Sequence, residues 1–321
     1  SSTPAISEAV NEGHSDQVVM SATAKNNAKA DPIATALANY AAAKEKTYFD
    51  EGKDAVQQAT YYKDLCLDGT GVENFKALSK LVTQSHTNIL PYEPSNYLYP
   101  WVDLRPNLQL ESIYSSGNID AVSSIKEDFA KAEYWNTMSQ MAMTAAVAPT
   151  VAAAQMALTS NQYLNCEHVV CQSWFNHAQP MKGDLHHLFT CERNANSIRQ
   201  HFRYAEVPQT PENQKGEGWV VKGVEEFEPQ AGKGAVARAT LYFLLRYPGK
   251  LGDKEGEYTA ADVKTLLRWH KEDPVDLYEL HRNQAIEEIQ GNRNPLIDFP
   301  DLADKIDFTQ GLGELGRSIL E

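Results

Sequence analysis

No run of 18 apolar residues occurs anywhere in the chain, so nothing in it reads as a membrane-spanning helix. The most apolar region, 141–158, is Ala-rich, broken by Pro149 and too polar to insert. Basic residues are also scarce: 29 Lys and Arg stand against 43 Asp and Glu, for a formal net charge of −14. Non-specific nucleic-acid binders usually carry a basic excess or a basic block, because neutralising phosphate supplies their affinity. Neither is visible, and only a local basic groove or a bound cation would reverse that argument. Cysteine is sparse too: Cys66, Cys166, Cys171 and Cys191 are even in number and compatible with export, but they allow three pairings and fit free buried thiols equally well. Repeats and low-complexity tracts are absent. The opening Ser1-Ser2-Thr3-Pro4 has no initiator methionine and no charged-then-apolar leader, as expected if a signal peptide has been removed or the ends trimmed.

What is present is an ordinary globular composition, 42% hydrophobic and 22% charged over 321 residues, enough for one large domain or two. Residues 1–55 read as a helical N-terminal extension, with Asp31-Pro32 opening an Ala-rich run. Residues 56–321 read as the main domain. Within it, Phe75, Leu78, Leu81 and Val82 recur at helical spacing. Pro91 to Pro106 reads as a packed aromatic loop with a short strand, and Leu108 to Tyr114 as another strand. One or two helices are expected over 124–158, broken near Pro149. Trp219 to Lys222 suggests a strand, and Ala235 to Tyr247 a buried helix carrying Arg238, either an internal ion pair or a phosphate contact. Thr259 with Asp262 predicts a capping box, and Asp273-Pro274 predicts the start of a helix that stops at Gly291.

The chemistry-bearing residue types concentrate between Cys166 and Arg199. Val169 and Val170 beside His168 suggest a strand end, and Asn194 to Phe202 suggests a helix with Asn196 and Arg199 on one face. That order would bring Glu167, His168 and Asn196 toward one point. A carboxylate and an amide oxygen suit Mg²⁺, which keeps waters for a substrate phosphate. The imidazole is a natural base for deprotonating water. A rival fits the same stretch: Cys166-x-His168-x2-Cys171, with Cys191 and His177 or His187, carries the soft donors of a tetrahedral zinc site. On that reading, or with disulfides in place of zinc, the chain is a stapled secreted interaction module without catalysis.

Several separated segments resemble one family. Glu167-His-Val-Val-Cys-Gln-Ser-Trp-Phe175, Pro180-Met-Lys-Gly-Asp-Leu-His-His-Leu-Phe189 and Asn196-x-x-Arg199 are similar to the bacterial endonuclease I family of secreted and periplasmic nucleases. So are Gly232 to Tyr242, Asp273-Pro-Val-Asp276 and Gln290 to Pro295, with Tyr61-Tyr62 and Ile113-Tyr-Ser upstream. The resemblance covers roughly 58–300. It implies an α+β fold with a ββα-metal (His-Me finger) core surrounded by helices, and a hydrolase cutting DNA, and RNA as a second substrate, with little sequence preference. It implies His168 as general base, Glu167 and Asn196 as ligands of one divalent cation, usually Mg²⁺ with Mn²⁺ or Ca²⁺ as alternatives, and Arg199 as a phosphate contact or site support. His186 and His187 fall in the family's Asp-Leu-His-His segment, where packing is the plainer role. Cys171 stands where the family more often has proline, and a product-stabilising arginine has no clear equivalent, Lys182 being the substitute at hand.

Overall fold

This computed structural model describes residues 31–144 and 164–319. Its helices begin where the sequence supplies caps. α1 (Pro32–Ala43) opens on proline, whose missing N–H costs nothing in a first turn. α2 (Glu51–Tyr61) starts at Asp50, whose carboxylate accepts the Lys53 amide. α3 (Gly71–Gln84) carries a full capping box from Thr70 and Glu73 and buries Phe75, Leu78 and Val82, as the spacing predicts.

The strand expected between Pro91 and Pro106 is not there. A short helix, α4 (Pro94–Tyr97), runs into a wider helical turn at Leu98–Val102. Pro94 presets the first turn, and the Asp103 amide reaches back to the Leu98 carbonyl at 3.0 Å, so Leu98, Tyr99 and Val102 enter the core on a helical period. The next strand is shorter than expected. β1 (Leu110–Glu111) pairs antiparallel with β2 (Asn118–Ile119), and Leu108 at φ 61° leaves extended backbone before it begins. α5 (Ala121–Thr144) follows; the break expected near Pro149 lies outside the described residues.

β3 (Leu164–His168) and β4 (Leu188–Glu192) form an antiparallel pair, and α6 (Arg193–Arg199) leaves β4 directly. A four-stranded sheet comes next, from β5 (Arg203–Tyr204), β6 (Gln214–Lys215), β7 (Gly218–Trp219) and β8 (Glu226–Pro229). Its order is β5-β8-β7-β6, with β5 parallel to β8 and the other pairs antiparallel. The Trp219 to Lys222 strand is thus only its first residue plus Gly218.

α7 (Lys233–Arg246) is the pillar of the larger core, with every residue from Gly234 to Leu245 buried. Gly232 precedes it at φ 74°, where a Cβ would meet the Ile113 carbonyl oxygen at 2.3 Å, so only glycine fits. α8 (Ala260–Glu272) carries the Thr259–Asp262 capping box. α9 (Leu277–Gln290) is capped by Asp276, not Asp273, and ends at Gly291 with φ 96°. Asp273 is occupied elsewhere: its carboxylate accepts the Gly234 amide at 2.7 Å and so pins the start of α7. Arg238 is 1% exposed, pairs with both oxygens of Glu279 at 2.7 and 2.6 Å, and donates to the His270 and Asp273 carbonyls. It is an internal ion pair, buried and fully engaged by acceptors of the protein itself. A second core joins Ala36, Tyr40 and Ala43 of α1 to Leu98, Val102, Leu188 and Ile286. The described architecture is therefore mixed α+β, with helices packed around small sheets.

Candidate active site

The site is built where β3 ends beside β4. Register pairs Glu167 with Phe189 and His168 with Leu188, and the Val169 amide continues the ladder by donating to the His187 carbonyl at 3.0 Å. Glu192 ends β4 and caps α6, its carboxylate accepting the Asn194 and Ala195 amides at 2.9 and 2.8 Å. With no loop between strand and helix, α6 is held against the pair, and Arg199 in its last turn reaches back to the end of β3.

Arg199 is 1% exposed. Its Nη1 donates to Glu167 Oε1 at 2.5 Å and to the His168 carbonyl at 2.8 Å, Nη2 to the Val169 carbonyl at 2.6 Å, and Nε to the Phe202 carbonyl at 3.0 Å. Of the two expectations for this residue, phosphate contact or site support, the geometry is that of support: the guanidinium ties the strand end to the helix. The Tyr114 hydroxyl also donates to Glu167 Oε1 at 2.8 Å and accepts from the Tyr204 hydroxyl at 2.6 Å. Burial raises the Glu167 carboxyl above its usual range, and Arg199 and Tyr114 pull it back down.

His168 is buried against Tyr92, with ring centroids 4.9 Å apart. Its Nε2 lies 2.9 Å from the Lys182 carbonyl oxygen, which can only accept, so Nε2 carries the proton and Nδ1 keeps the basic lone pair. Burial, reinforced by His187 nearby, holds this imidazole well below the ordinary histidine value, so it is neutral at neutral pH.

Glu167, His168, Asn196 and Arg199 line one open cleft of about 300 Å³. Asn196 is half-exposed, and no hydrogen bond engages its carboxamide among the described residues. The remaining wall comes from Cys166, Cys171, Gln172, Ser173, His177, Gln200 and His201. The sequence alone singles out neither Tyr114 nor Tyr92 for a role. The Ile113-Tyr-Ser segment carries part of the family resemblance, but nothing local in it says that its hydroxyl meets Glu167, a contact 53 residues away.

His186 and His187 take the packing role. The His186 Nε2 donates to the Asn292 carbonyl at 3.1 Å and the His187 Nε2 to the Met181 carbonyl at 2.6 Å. Asp184, just before them and fully buried, accepts the hydroxyls of Tyr242 and Tyr247, each at 2.8 Å. The zinc rival does not fit this arrangement. Among the described residues no three His, Cys, Asp or Glu side chains are grouped to hold a metal, and all four cysteines are free thiols, three of them buried. A carboxylate with a carboxamide is a different, hard-oxygen donor set that such a grouping does not contain.

The endonuclease I family model matches residues 98–301, which include all four predicted site residues. The chain belongs to the endonuclease I family. Curated relatives agree with that membership. An extracellular ribonuclease of Bacillus amyloliquefaciens is 37% identical over 161 residues, covering 44% of this chain and 53% of that protein. An extracellular deoxyribonuclease of Aeromonas hydrophila is 34% identical over 122 residues, covering 37% of this chain and 50% of the relative. Endonuclease-1 of Buchnera aphidicola is 32% identical over 125 residues, covering 37% of this chain and 47% of the relative. The chain thus spans about half the length of the curated relatives it matches.

Proposed function

We propose that this endonuclease I family chain hydrolyses phosphodiester bonds within DNA and RNA, with little sequence preference, on a ββα-metal core made by β3, β4 and α6. The observation that carries the reading is the convergence of Glu167, His168 and Asn196 on one open cleft, with the imidazole's basic nitrogen left over after Nε2 is committed to a carbonyl. Glu167 and Asn196 offer hard oxygens, the donor chemistry of Mg²⁺, with Mn²⁺ and Ca²⁺ as alternatives. When bound there, the cation would polarise the phosphodiester and stabilise charge on the leaving oxygen.

The protein's own groups do the rest. Neutral His168 accepts a proton from the attacking water, and the Lys182 carbonyl orients the ring and stabilises the imidazolium that forms. Tyr114 and Arg199 fix the Glu167 carboxylate in place. Arg199 is accordingly a positioning residue. A site that grips the backbone through a metal carries little base information, which accounts for the low sequence preference. Relatives named ribonuclease and deoxyribonuclease favour both substrates. Relatives named extracellular or periplasmic favour export, and among the described residues no helix is long and apolar enough to cross a membrane.

The test is digestion of plasmid DNA and of a structured RNA by the wild-type chain in excess EDTA and after adding Mg²⁺. Cutting that stops in EDTA and returns with Mg²⁺ is expected. Equal cutting in EDTA, or none with any divalent cation, contradicts the proposal.

A further inference from the structure

Beside the candidate cleft lies a second pocket of about 490 Å³, and Gln200 and His201 line both. That volume falls within the ~300–1,000 Å³ typical of small-ligand sites. Its apolar wall is Ile198, Phe202, Val220, Val221 and Val224. Phe202 and Val220 are half-buried and anchored on the main core, which makes that side rigid. Val224 is 39% exposed, on a turn in which its amide donates to the Val221 carbonyl at 3.0 Å and Gly223 sits at φ 82°.

The rim supplies the charge that the composition lacks. Lys215 and Lys222 are exposed and form no ion pair among the described residues. Among the described residues the one carboxylate on the lining, Glu225, faces His201 at 3.4 Å. An apolar cavity edged by two ammonium groups without an ion pair among the described residues, sharing a wall with the proposed catalytic cleft, has the chemistry of a nucleotide subsite: apolar surface for a base, lysines for flanking phosphates.

We infer that this pocket takes an unpaired base of the substrate strand, next to the phosphate held in the cleft, and so favours single-stranded over duplex nucleic acid. The inference rests on the proposed nuclease reading of the neighbouring cleft. A base held in the pocket cannot also be paired within a duplex. The contact is insensitive to base identity, since every base presents an apolar face.

The test reads binding apart from cleavage. In the full chain carrying His168→Ala, with Mg²⁺, fluorescence anisotropy measures a labelled short oligothymidylate against a sugar-phosphate chain of equal length without bases. The abasic chain is expected to bind about tenfold more weakly, the lower range of what one stacked base supplies. Adding Val224→Asp and Lys222→Ala, both at exposed positions, is expected to abolish that preference while circular dichroism stays unchanged. Equal affinity for the two probes, a preference untouched by the added substitutions, or no binding of either probe overturns the inference. Failure of the nuclease reading shows separately, as plasmid left intact by the wild-type chain in Mg²⁺.

Discussion

Arg199→Met tests the role given to the buried guanidinium. Methionine keeps much of the bulk but removes the charge, so Glu167 is left as a carboxylate at 1% exposure with, among the described residues, Tyr114 alone bonded to it. Breaking a buried ion pair from one side costs about 3–5 kcal/mol. The carbonyls of His168, Val169 and Phe202 also lose their donor, at ~1–3 kcal/mol for each one that water cannot reach. These contributions overlap, because a protonated Glu167 relieves part of the first, and a net loss of about 4 kcal/mol is expected. For a chain of this size that corresponds to a drop of roughly 6 °C in the unfolding midpoint. Thermal unfolding by circular dichroism measures it for Arg199→Met, Glu167→Gln and the double variant. The double variant should be less destabilised than the sum of the two, by about 1–3 kcal/mol. Arg199→Lys should rescue little, since an ammonium cannot span four acceptors in a plane. If Arg199→Met melts within about 2 °C of wild type and only raises KM, the guanidinium contacts substrate phosphate and the supporting role is wrong.

Two further outcomes follow from groups outside the cleft. Gly234→Ala in α7 would gain about 1 kcal/mol on helix propensity alone, yet a Cβ there lies 2.0 Å from the Asp273 carbonyl oxygen, so urea unfolding should show a loss of about 1–3 kcal/mol; a gain would mean the start of α7 yields freely. His186 is fully buried, and burial, only partly offset by Asp184, pushes it down to about 4. Its folded value lies below the unfolded one near 6.5, so the unfolded chain takes up the proton first and stability falls as pH drops from about 6.5 towards 4. This group alone should cost roughly 2 kcal/mol at pH 5 relative to pH 7. Urea midpoints compared for wild type and His186→Asn should show a shallower acid loss in the variant, and parallel curves would refute the assignment.

The strand, strand and helix around Glu167 to Arg199 were legible because their signals are local: a β-branched pair at the strand end, then a helical spacing that sets Asn196 and Arg199 on one side. The buried helix α7 and the capping box of α8 were legible for the same reason. Misreadings arose where distant partners decide. Asp273 looks like a helix cap beside Pro274, but the Gly234 amide on another helix claims its carboxylate and leaves capping to Asp276. The aromatic stretch after Pro91 has strand-like composition, yet its side chains reach the second core only on a helical turn. Arg238 was ambiguous until Glu279, 41 residues later, supplied the partner. Tyr114 could not be picked out at all, since the carboxylate that gives its hydroxyl a purpose is 53 residues away. The net charge of −14 concealed the two lysines beside the cleft, because a sum over the chain says nothing of where charges sit.

The most direct measurement is plasmid cleavage in Mg²⁺ by His168→Ala, with its unfolding midpoint and circular dichroism recorded alongside. Removing a general base typically costs about 10²–10⁴-fold in rate. The account predicts a loss of that size, with a fold that survives because, among the described residues, the ring's one hydrogen bond is to the Lys182 carbonyl. A folded His168→Ala protein that cuts plasmid at the wild-type rate would contradict it.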